Sequence, residues 1–449
     1  MECLIIPKPI ILNMGNNTKR RFIGTLSQNE LLKLYSKHVN APKVKTFKGF
    51  GFGVIPGKRE NIYFETLDGP KKGEPPIKVI NCRSSGGVFN LGHHNPKIVK
   101  VLKDAVDAGL DLGDHMLLSE QRAILGKTLA ELMPGDISKT TFGVSGGEAI
   151  DTAIKFSRAY TKREGCVSAI GGYHGHTGFA LLTGDPSFKD TFLWDNPKFK
   201  QVPFGDIDAM RKAVTEDVAC VILETIPATA GVLIAPKGYF KAVREICDKT
   251  GAQLIIDEVQ AGLGRTGVFW AIYGGLYPDE KVVPDFIVLG KGMSSGIYPL
   301  SSCSYKPEIE KAVFKEDPFI HISTTGGSDL GCVITNEMLK IQSDPEFLTH
   351  VKKVGKLFGD GLKEIAEKHS NLVKEVRGRG LMWGMEFNEE IDGQLNMLHM
   401  MKQGVLANYC GNNKATDIIM PPLIISEDQV KEVIDRIGKA VDNLSNLKK

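Results

Sequence analysis

The sequence predicts an α/β fold: a large domain built on a mostly parallel sheet, followed by a smaller α+β domain. Three observations carry this. Between about Pro76 and Gly331, near-continuous apolar runs alternate with helical patterns, which is how parallel strands covered on both faces read in sequence. After about Gly331 the pattern changes to long helices around one strand pair. The chain has 449 residues, 42% hydrophobic and 24% charged, too many for one ordinary core and enough for two soluble domains.

Taken in order, "MECLIIPKPIILNMG" is apolar but carries two prolines and lacks a basic leader and a small-residue cleavage site. It reads as an ordered arm, not a secretory signal. "KVKTFKGFGFGVIPGKRENIYFETLDG" reads as short strands and turns. The clear strands that follow are "CVSAI" (166–170), "VACVILET" (218–225), "AQLIIDE" (252–258) and "DFIVLG" (285–290). Helices are expected over residues 96–109, 148–165 and 239–251, and later over "VITNEMLKIQ" and "EFLTHVKKVGKLFGDGLKEIAEKHS". "RGRGLMWGMEF" reads as a strand pair, and Ser426 is a good N-cap for the last helix. The expected division is residues 1–75 as an arm and small-domain segment, 76–331 as the large domain, and 332–449 as the C-terminal small domain.

A net charge of only +3 gives no reason to expect nucleic acid or a membrane surface as partner. No apolar run approaches the roughly twenty residues of a spanning helix. The eight cysteines are scattered, with no CxxC pair. That pattern suits reduced thiols in the cytoplasm, not a disulfide frame or a zinc site.

"AQLIIDEVQAGLGRTGVFW" poses the main question. Gly262 to Gly267 fits GxGxxG letter for letter. A dinucleotide loop, however, needs its glycines directly after a strand and at the start of a helix. Here three residues separate Glu258 from Gly262, and "VFWAIYGG" is not an obvious amphipathic helix. The stronger reading puts the chemistry on Asp257. A carboxylate at the C-terminal end of a buried parallel strand points into the crevice where α/β sheets bind ligands. Burying it ionised is costly unless it meets a cation, and a protonated pyridine nitrogen is one. The bland alternative is an Asp that caps a turn.

Context favours the first. After the next strand comes Lys291, in "GKGMSSGIYPLSS". An amine at a strand end among glycines is a candidate for Schiff-base chemistry. Earlier, Ser145-Gly146-Gly147 opens a helix, where free N–H groups and the helix dipole favour a phosphate. Thr324, beside Gly326-Gly327, is a second candidate anion contact. Tyr173 in "GGYHGHTG" could stack on a flat ring. His174 and His176 have metal-like spacing, but no carboxylate or cysteine stands near them in sequence, so no metal is assigned.

These residues, in this order, resemble the class III pyridoxal-phosphate aminotransferases, which include the ornithine, acetylornithine and 4-aminobutyrate enzymes. The resemblance runs from about Ile62 to near the C-terminus. "NLGHHNP", "VSGGEA", "GGYHGHT", "IIDEVQAGLGRTG", "PDFIVLGKGMSSGIYPLSS", "STTGGSD" and "RGRGLMWGMEF" are each similar to a family motif in the family's order. The resemblance implies the pyridoxal-phosphate fold type I and a set of roles. Lys291 forms the Schiff base and shuttles the proton. Asp257 keeps the pyridinium nitrogen protonated. Val259 and Tyr173 pack on the ring faces, and Gln260 meets the ring hydroxyl. Gly146 and Gly147, with Ser145, hold the phosphate. His174 and Glu224 complete the cofactor site. Thr324 reaches the phosphate of the other subunit, so a homodimer with shared sites is implied.

The sequence departs from the family at one place. In the ornithine and 4-aminobutyrate enzymes a second glutamate pairs with an arginine that grips a substrate carboxylate. Here Thr229 and Ile418 stand at those positions. Both halves are gone together, as the cost of a lone buried charge requires. The expected donor is therefore an amine without a carboxylate near the reacting carbon: a primary amine, a β- or ω-amino acid held otherwise, or a β-aminoacyl-CoA. For the last, Lys43, Lys45, Lys48, Lys58 and Arg59 could meet nucleotide phosphates, or form an ordinary solvated surface. A 2-oxo acid acceptor such as 2-oxoglutarate or pyruvate needs a cation. Arg83, Arg377 and Arg379 are the candidates, which the sequence does not rank. Racemisation, epimerisation or phosphate elimination would use the same cofactor residues. An NAD-dependent dehydrogenase built on GLGRTG, and a non-catalytic binding protein, are the rivals outside this chemistry.

Overall fold

The computed structural model describes residues 26–49, 56–66 and 75–448. The "MECLIIPKPIILNMG" segment and Cys3 lie outside them. The chain forms two compact units, one of residues up to 59 together with 64–79, the other of residues 60–63 and 80 onward.

In the first unit, helix Gln28–His38 opens with a capping box: the Ser27 backbone N–H donates to Glu30 Oε2 at 2.9 Å, and Glu30 N–H donates to Ser27 Oγ. Helix Ala41–Gly49 corrects the expectation of strands and turns over its length. The cause is local. The Asn40 side chain accepts from Lys43 N at 2.9 Å, Pro42 sits in the first turn where its missing N–H costs nothing, and the glycines begin only at the helix end. Strands β1 (Pro56–Glu60) and β2 (Tyr63–Thr66) follow, as expected. Residues 50–55 and 67–69 of that stretch lie outside the described residues.

Strand β3 (Lys78–Asn81) leads into the second unit. Seven strands then build the main sheet: β4 (Lys139–Gly143), β5 (Gly165–Ala169), β6 (Phe199–Val202), β7 (Val218–Glu224), β8 (Gln253–Asp257), β9 (Phe286–Leu289) and β10 (Ser301–Tyr305). Their order is β4-β10-β9-β8-β7-β5-β6. All neighbours from β9 to β6 are parallel; β10 runs antiparallel to both β9 and β4. The mostly parallel sheet expected from the apolar runs is present, and β7, β8 and β9 are buried throughout.

Burial on both faces explains why these strands do not alternate in polarity. Val221, Leu223, Leu254, Ile256, Ile287 and Leu289 enter one core, which also takes Phe240, Val243 and Cys247 of helix Tyr239–Thr250. The intervening Cys220, Ile222, Ile255, Phe286 and Val288 enter another, with Ile150, Ala153 and Ile154 of helix Gly146–Thr161. The period of two is intact, but each face meets an apolar helix.

Helix Asp329–Gln342 still belongs to the main core through Cys332, Ile334, Met338 and Leu339. A separate core begins with helix Pro345–Lys368, whose Val351, Phe358 and Leu362 pack with Val433, Ile437 and Val441 of helix Glu427–Leu447. Ser426 caps that last helix in a capping box with Gln429. The remaining strands are β11 (Val373–Arg379), β12 (Met382–Phe387), β13 (Val405–Leu406), β14 (Asn408–Tyr409) and β15 (Thr416–Ile419). β11 and β12 form the expected antiparallel pair, and β15 and β14 extend it. β13 runs parallel to Ile80 and Asn81. Among the described residues, no helix is long and apolar enough to cross a membrane.

Candidate active site

Four chain segments leave the same edge of the main sheet and carry the chemistry. β7 ends at Glu224 and β8 at Asp257, which are register partners on adjacent strands. β9 is followed by Gly290 and Lys291. β5 is followed by the loop that holds Tyr173 and His174. This is the carboxyl edge of a parallel sheet, where such folds bind ligands.

Asp257 is 5% exposed and is held by two donors. Val259 N–H donates to Oδ1 at 3.0 Å, and His174 Nδ1 lies 2.9 Å from Oδ2. An ionised carboxylate can only accept, so Nδ1 carries the proton. Glu224 accepts from the Tyr173 backbone N–H at 2.9 Å. Burial pushes the Glu224 carboxyl up to about 7, His174 opposes that, and Asp257 adds to it. Burial also makes Lys291 less basic than an ordinary lysine; Asp257 and Glu224 pull the other way, and Arg83 adds to the lowering. Lys291 has a φ of 33°. A bulky residue rarely adopts this conformation, and such strain is common at functional sites. Its Nζ lies 5.9 Å from the centre of the Tyr173 ring.

The glycine pair forms a cradle because a side chain at either position would crowd its walls. A Cβ on Gly146 would stand 3.2 Å from Val259 Cγ1, and one on Gly147 would stand 2.8 Å from Thr177 Oγ1. Ser145 caps the helix by accepting from Glu148 N–H at 3.2 Å, and Glu148 Oε2 accepts from Val144 N–H. The first-turn N–H groups of Gly146 and Gly147 have no partner within their own helix. Gly290 approaches so closely that a Cβ there would lie 3.1 Å from Gly146 Cα, which brings Lys291 beside the cradle.

Ser145, Gly146, Gly147, Tyr173, His174, Glu224, Asp257, Val259, Gln260 and Lys291 all line one cavity of about 260 Å³. Ten of the eleven residues expected to hold the cofactor therefore meet in one place. Thr324 does not: it sits exposed on the loop after His321, where its neighbour Ser323 donates to Glu148 Oε1. Gly175, His176 and Thr177 also line the cavity, without having been assigned roles from sequence. The contents fit a flat aromatic cation bearing a phosphate. One end is a helix N-terminus without side chains, the other a buried carboxylate with its own donors, and an amine of lowered basicity stands between them.

A second cavity of about 220 Å³ adjoins the first, sharing Tyr173, Gln260 and Lys291. Thr229 and Ile418 both line it. The Thr229 hydroxyl donates to Gly171 O at 3.3 Å, and its carbonyl accepts from Asn412 N–H at 2.9 Å. The stretch Asn408–Gly411 and Met420 form the rest of that side; no motif in the sequence marks Asn408–Gly411.

The GLGRTG run is a structural knot. It opens no helix: residues 259–268 are turns and bends. Arg265 is 0% exposed. It donates to the carbonyls of Leu381 and Pro421 and to Asn90 Oδ1, so it ties three of the sequence motifs together. Glu258 likewise accepts from Thr225, Ala271 and Ile272. The dinucleotide-loop reading fails because these glycines shape a turn around a buried arginine.

Comparison with known proteins agrees with this geometry. Residues 66–441 match the aminotransferase class-III family. An uncharacterized aminotransferase of Archaeoglobus fulgidus is 44% identical over 421 residues, 94% of this chain and 96% of that protein. Among solved structures, the ornithine aminotransferase of Toxoplasma gondii ME49 has a TM-score of 0.83 at 22% identity, covering 94% of this chain and 96% of its own. A Bacillus anthracis aminotransferase has a TM-score of 0.81 at 25% identity, covering 95% and 99%. With both the family match and the cradle in hand, this chain belongs to the class-III aminotransferases, which are pyridoxal-phosphate-dependent enzymes.

Proposed function

We propose that this aminotransferase takes an amino group from a donor with no carboxylate beside the reacting carbon and passes it to a 2-oxo acid such as 2-oxoglutarate or pyruvate. Suitable donors are a primary amine, a β- or ω-amino acid, or a β-aminoacyl-CoA. The observation that carries the donor class is the pair Thr229 and Ile418, which line one wall system beside Lys291 and offer no charge to a carboxylate.

Bound pyridoxal phosphate supplies an electron sink that weakens the bond between the donor's amine-bearing carbon and its hydrogen. The residues of this chain do the rest. Gly146 and Gly147, with Ser145, receive the phosphate at the helix N-terminus. Asp257, oriented by His174, holds a proton at the ring nitrogen. Val259 and Tyr173 would confine the ring and Gln260 would meet its hydroxyl, while Glu224 fixes the Tyr173 backbone. Lys291 would hold the cofactor and move the proton off the donor carbon and back; its lowered basicity leaves more of the neutral base at working pH. Thr324 meets the phosphate of a second subunit, which makes a homodimer the catalytic unit. The seven described cysteines are buried free thiols, which supports a cytoplasmic location. The proposed divisions are the arm, the cofactor domain and the C-terminal domain, with the boundary expected at 331 moved to the end of helix Asp329–Gln342, whose Cys332, Ile334, Met338 and Leu339 lie in the main core.

The test is a half-reaction. Purified holoenzyme is mixed with a panel of amines, including a β-aminoacyl-CoA, while the visible absorbance is followed. Loss of the band with an amine, and its return with 2-oxoglutarate or pyruvate, is the expected result and names the donor. A band that persists while a chiral amino acid loses optical purity would overturn it in favour of a racemase.

A further inference from the structure

The cavity lined by Thr229 and Ile418 has lost the family's carboxylate grip, yet a 2-oxo acid still needs one. Three arginines were candidates, and their surroundings separate them. Arg377 is committed: its guanidinium binds Glu386 Oε2 and Glu375 Oε2 and donates to Gly231 O at 2.8 Å. Arg379 donates to the carbonyls of Leu276 and Gly378 and lies over the Tyr277 ring. Neither lines the cavity. Arg83 does line it. Among the described residues its guanidinium has no hydrogen-bond or ion-pair partner.

The backbone of Arg83 is fixed while its side chain is free. Its N–H donates to Asn81 Oδ1 at 3.2 Å, and its carbonyl accepts from Gly86 N–H at 2.9 Å. Asn81 is itself held by His93 at 2.9 Å. The residues after Arg83 form a tight left-handed turn, with φ of 46° at Ser84, 48° at Ser85 and 69° at Gly86. Strain of this kind persists only where the surroundings over-determine it. The turn brings Gly86 so close to Lys291 that a Cβ there would stand 3.0 Å from Lys291 Cε. The cavity thus holds one arginine, Arg83, beside Lys291, and no Asp or Glu among its lining residues.

We propose that Arg83 is the residue that binds the carboxylate of the 2-oxo acid acceptor, in place of the missing arginine at position 418. A planar guanidinium with unused donors matches a carboxylate in a two-pronged geometry that a lysine cannot reproduce. Because Arg83 is rooted on another segment from Ile418, the grip and the apolar wall at Thr229 and Ile418 coexist. One enzyme can then accept a donor with no carboxylate beside its reacting carbon and an anionic acceptor in the same cavity. A single free arginine provides one grip, so monocarboxylates such as pyruvate qualify. Arg83 also contributes to the lowered basicity of Lys291.

This rests on the proposed use of a 2-oxo acid acceptor. The experiment loads the purified protein with pyridoxamine phosphate and follows the visible band after adding pyruvate, 2-oxoglutarate, or butanal, an acceptor with no carboxylate. In Arg83→Ala, the rate constant with either oxo acid relative to that with butanal is expected to fall about 10- to 100-fold, the loss typical of one charged hydrogen-bonding pair. Arg83→Lys is expected to fall between. Calorimetric binding of glutarate to the pyridoxal form should weaken in parallel. An unchanged oxo-acid to butanal ratio and unchanged glutarate binding in Arg83→Ala and Arg83→Lys would overturn the assignment of Arg83. If the wild-type protein reacts with butanal but with no oxo acid, the acceptor reading itself falls.

Discussion

His174 donates its Nδ1–H to Asp257 Oδ2 across 2.9 Å, with side chains only 1% and 6% exposed. The pair orients the carboxylate that faces the cofactor cavity and fills one of its lone pairs. Asp257→Asn keeps the shape and removes the charge. Its kcat is expected to fall at least about 100-fold, the usual scale for deleting a preorganised electrostatic contact. His174→Gln acts through Asp257 and is expected to cost roughly tenfold. Both variants should still bind cofactor covalently, shown by borohydride fixing the visible band onto Lys291. Retention of wild-type kcat in Asp257→Asn would remove Asp257 from its proposed role.

Glu224 is 6% exposed and its carboxyl is pushed up to about 7 by burial. The folded value lies above the ordinary value of 4.5. In the window between them the folded chain binds more protons than the unfolded one, so stability falls as pH rises. The contribution is complete below about 4.5 and lost through about 7. Glu224→Gln keeps an acceptor for Tyr173 N–H but does not titrate. Relative to wild type, the cofactor-free variant is expected to gain up to about 3 kcal/mol in stability from pH 5 to pH 8. Denaturant unfolding at the two pH values measures this; an identical difference at both would show that Glu224 does not titrate there.

How much of this was legible depended on whether a residue's role was local. Asp257 and Lys291 were readable because one ends and the other closely follows an unmistakably buried strand, and strand ends fix where a side chain emerges. Gly146 and Gly147 were readable because a cradle needs small residues at a helix start. Arg83 could not be ranked against Arg377 from sequence. What distinguishes them is the register of β11 with β12, which sets Arg377 beside Glu386, and strand register is a long-range property. The wall at Asn408–Gly411 gave no signal, since its strand β14 has two residues and is too short for a period. Helix Ala41–Gly49 differs from the strands and turns its sequence suggests because Asn40 caps it and Pro42 opens its first turn, whereas the glycines that suggest turns begin only at its end.

Arg265 offers a stability test of the GLGRTG loop. Removing its side chain leaves Asn90 Oδ1 and the Leu381 and Pro421 carbonyls without the donor that now satisfies them. A buried acceptor left unpaired costs about 1–3 kcal/mol. Arg265→Ala is therefore expected to lower unfolding stability by on the order of 3–5 kcal/mol. Arg265→Lys should recover only part, because a point charge cannot reach three acceptors in a fork. Thermal or denaturant unfolding measures the loss. A nucleotide-binding role would instead leave stability unchanged and alter only ligand affinity.

Thr229 and Ile418 line the same cavity, so the carboxylate clamp of related enzymes can be rebuilt as a pair. Thr229→Glu alone places a carboxylate on a half-buried wall without the arginine that position 418 would supply, and Ile418→Arg alone places a cation there without the glutamate. Each single variant is expected to lose about 3 kcal/mol of stability, since one half of a buried ion pair is worse than neither. The double variant should recover most of that loss, giving a coupling energy of about 1–3 kcal/mol in a double-mutant cycle. It should also turn over 4-aminobutyrate at least about tenfold faster than wild type, because the new arginine can then hold the donor's carboxylate. Strictly additive stabilities, with no gain on 4-aminobutyrate, would mean that positions 229 and 418 do not form the site that decides the donor.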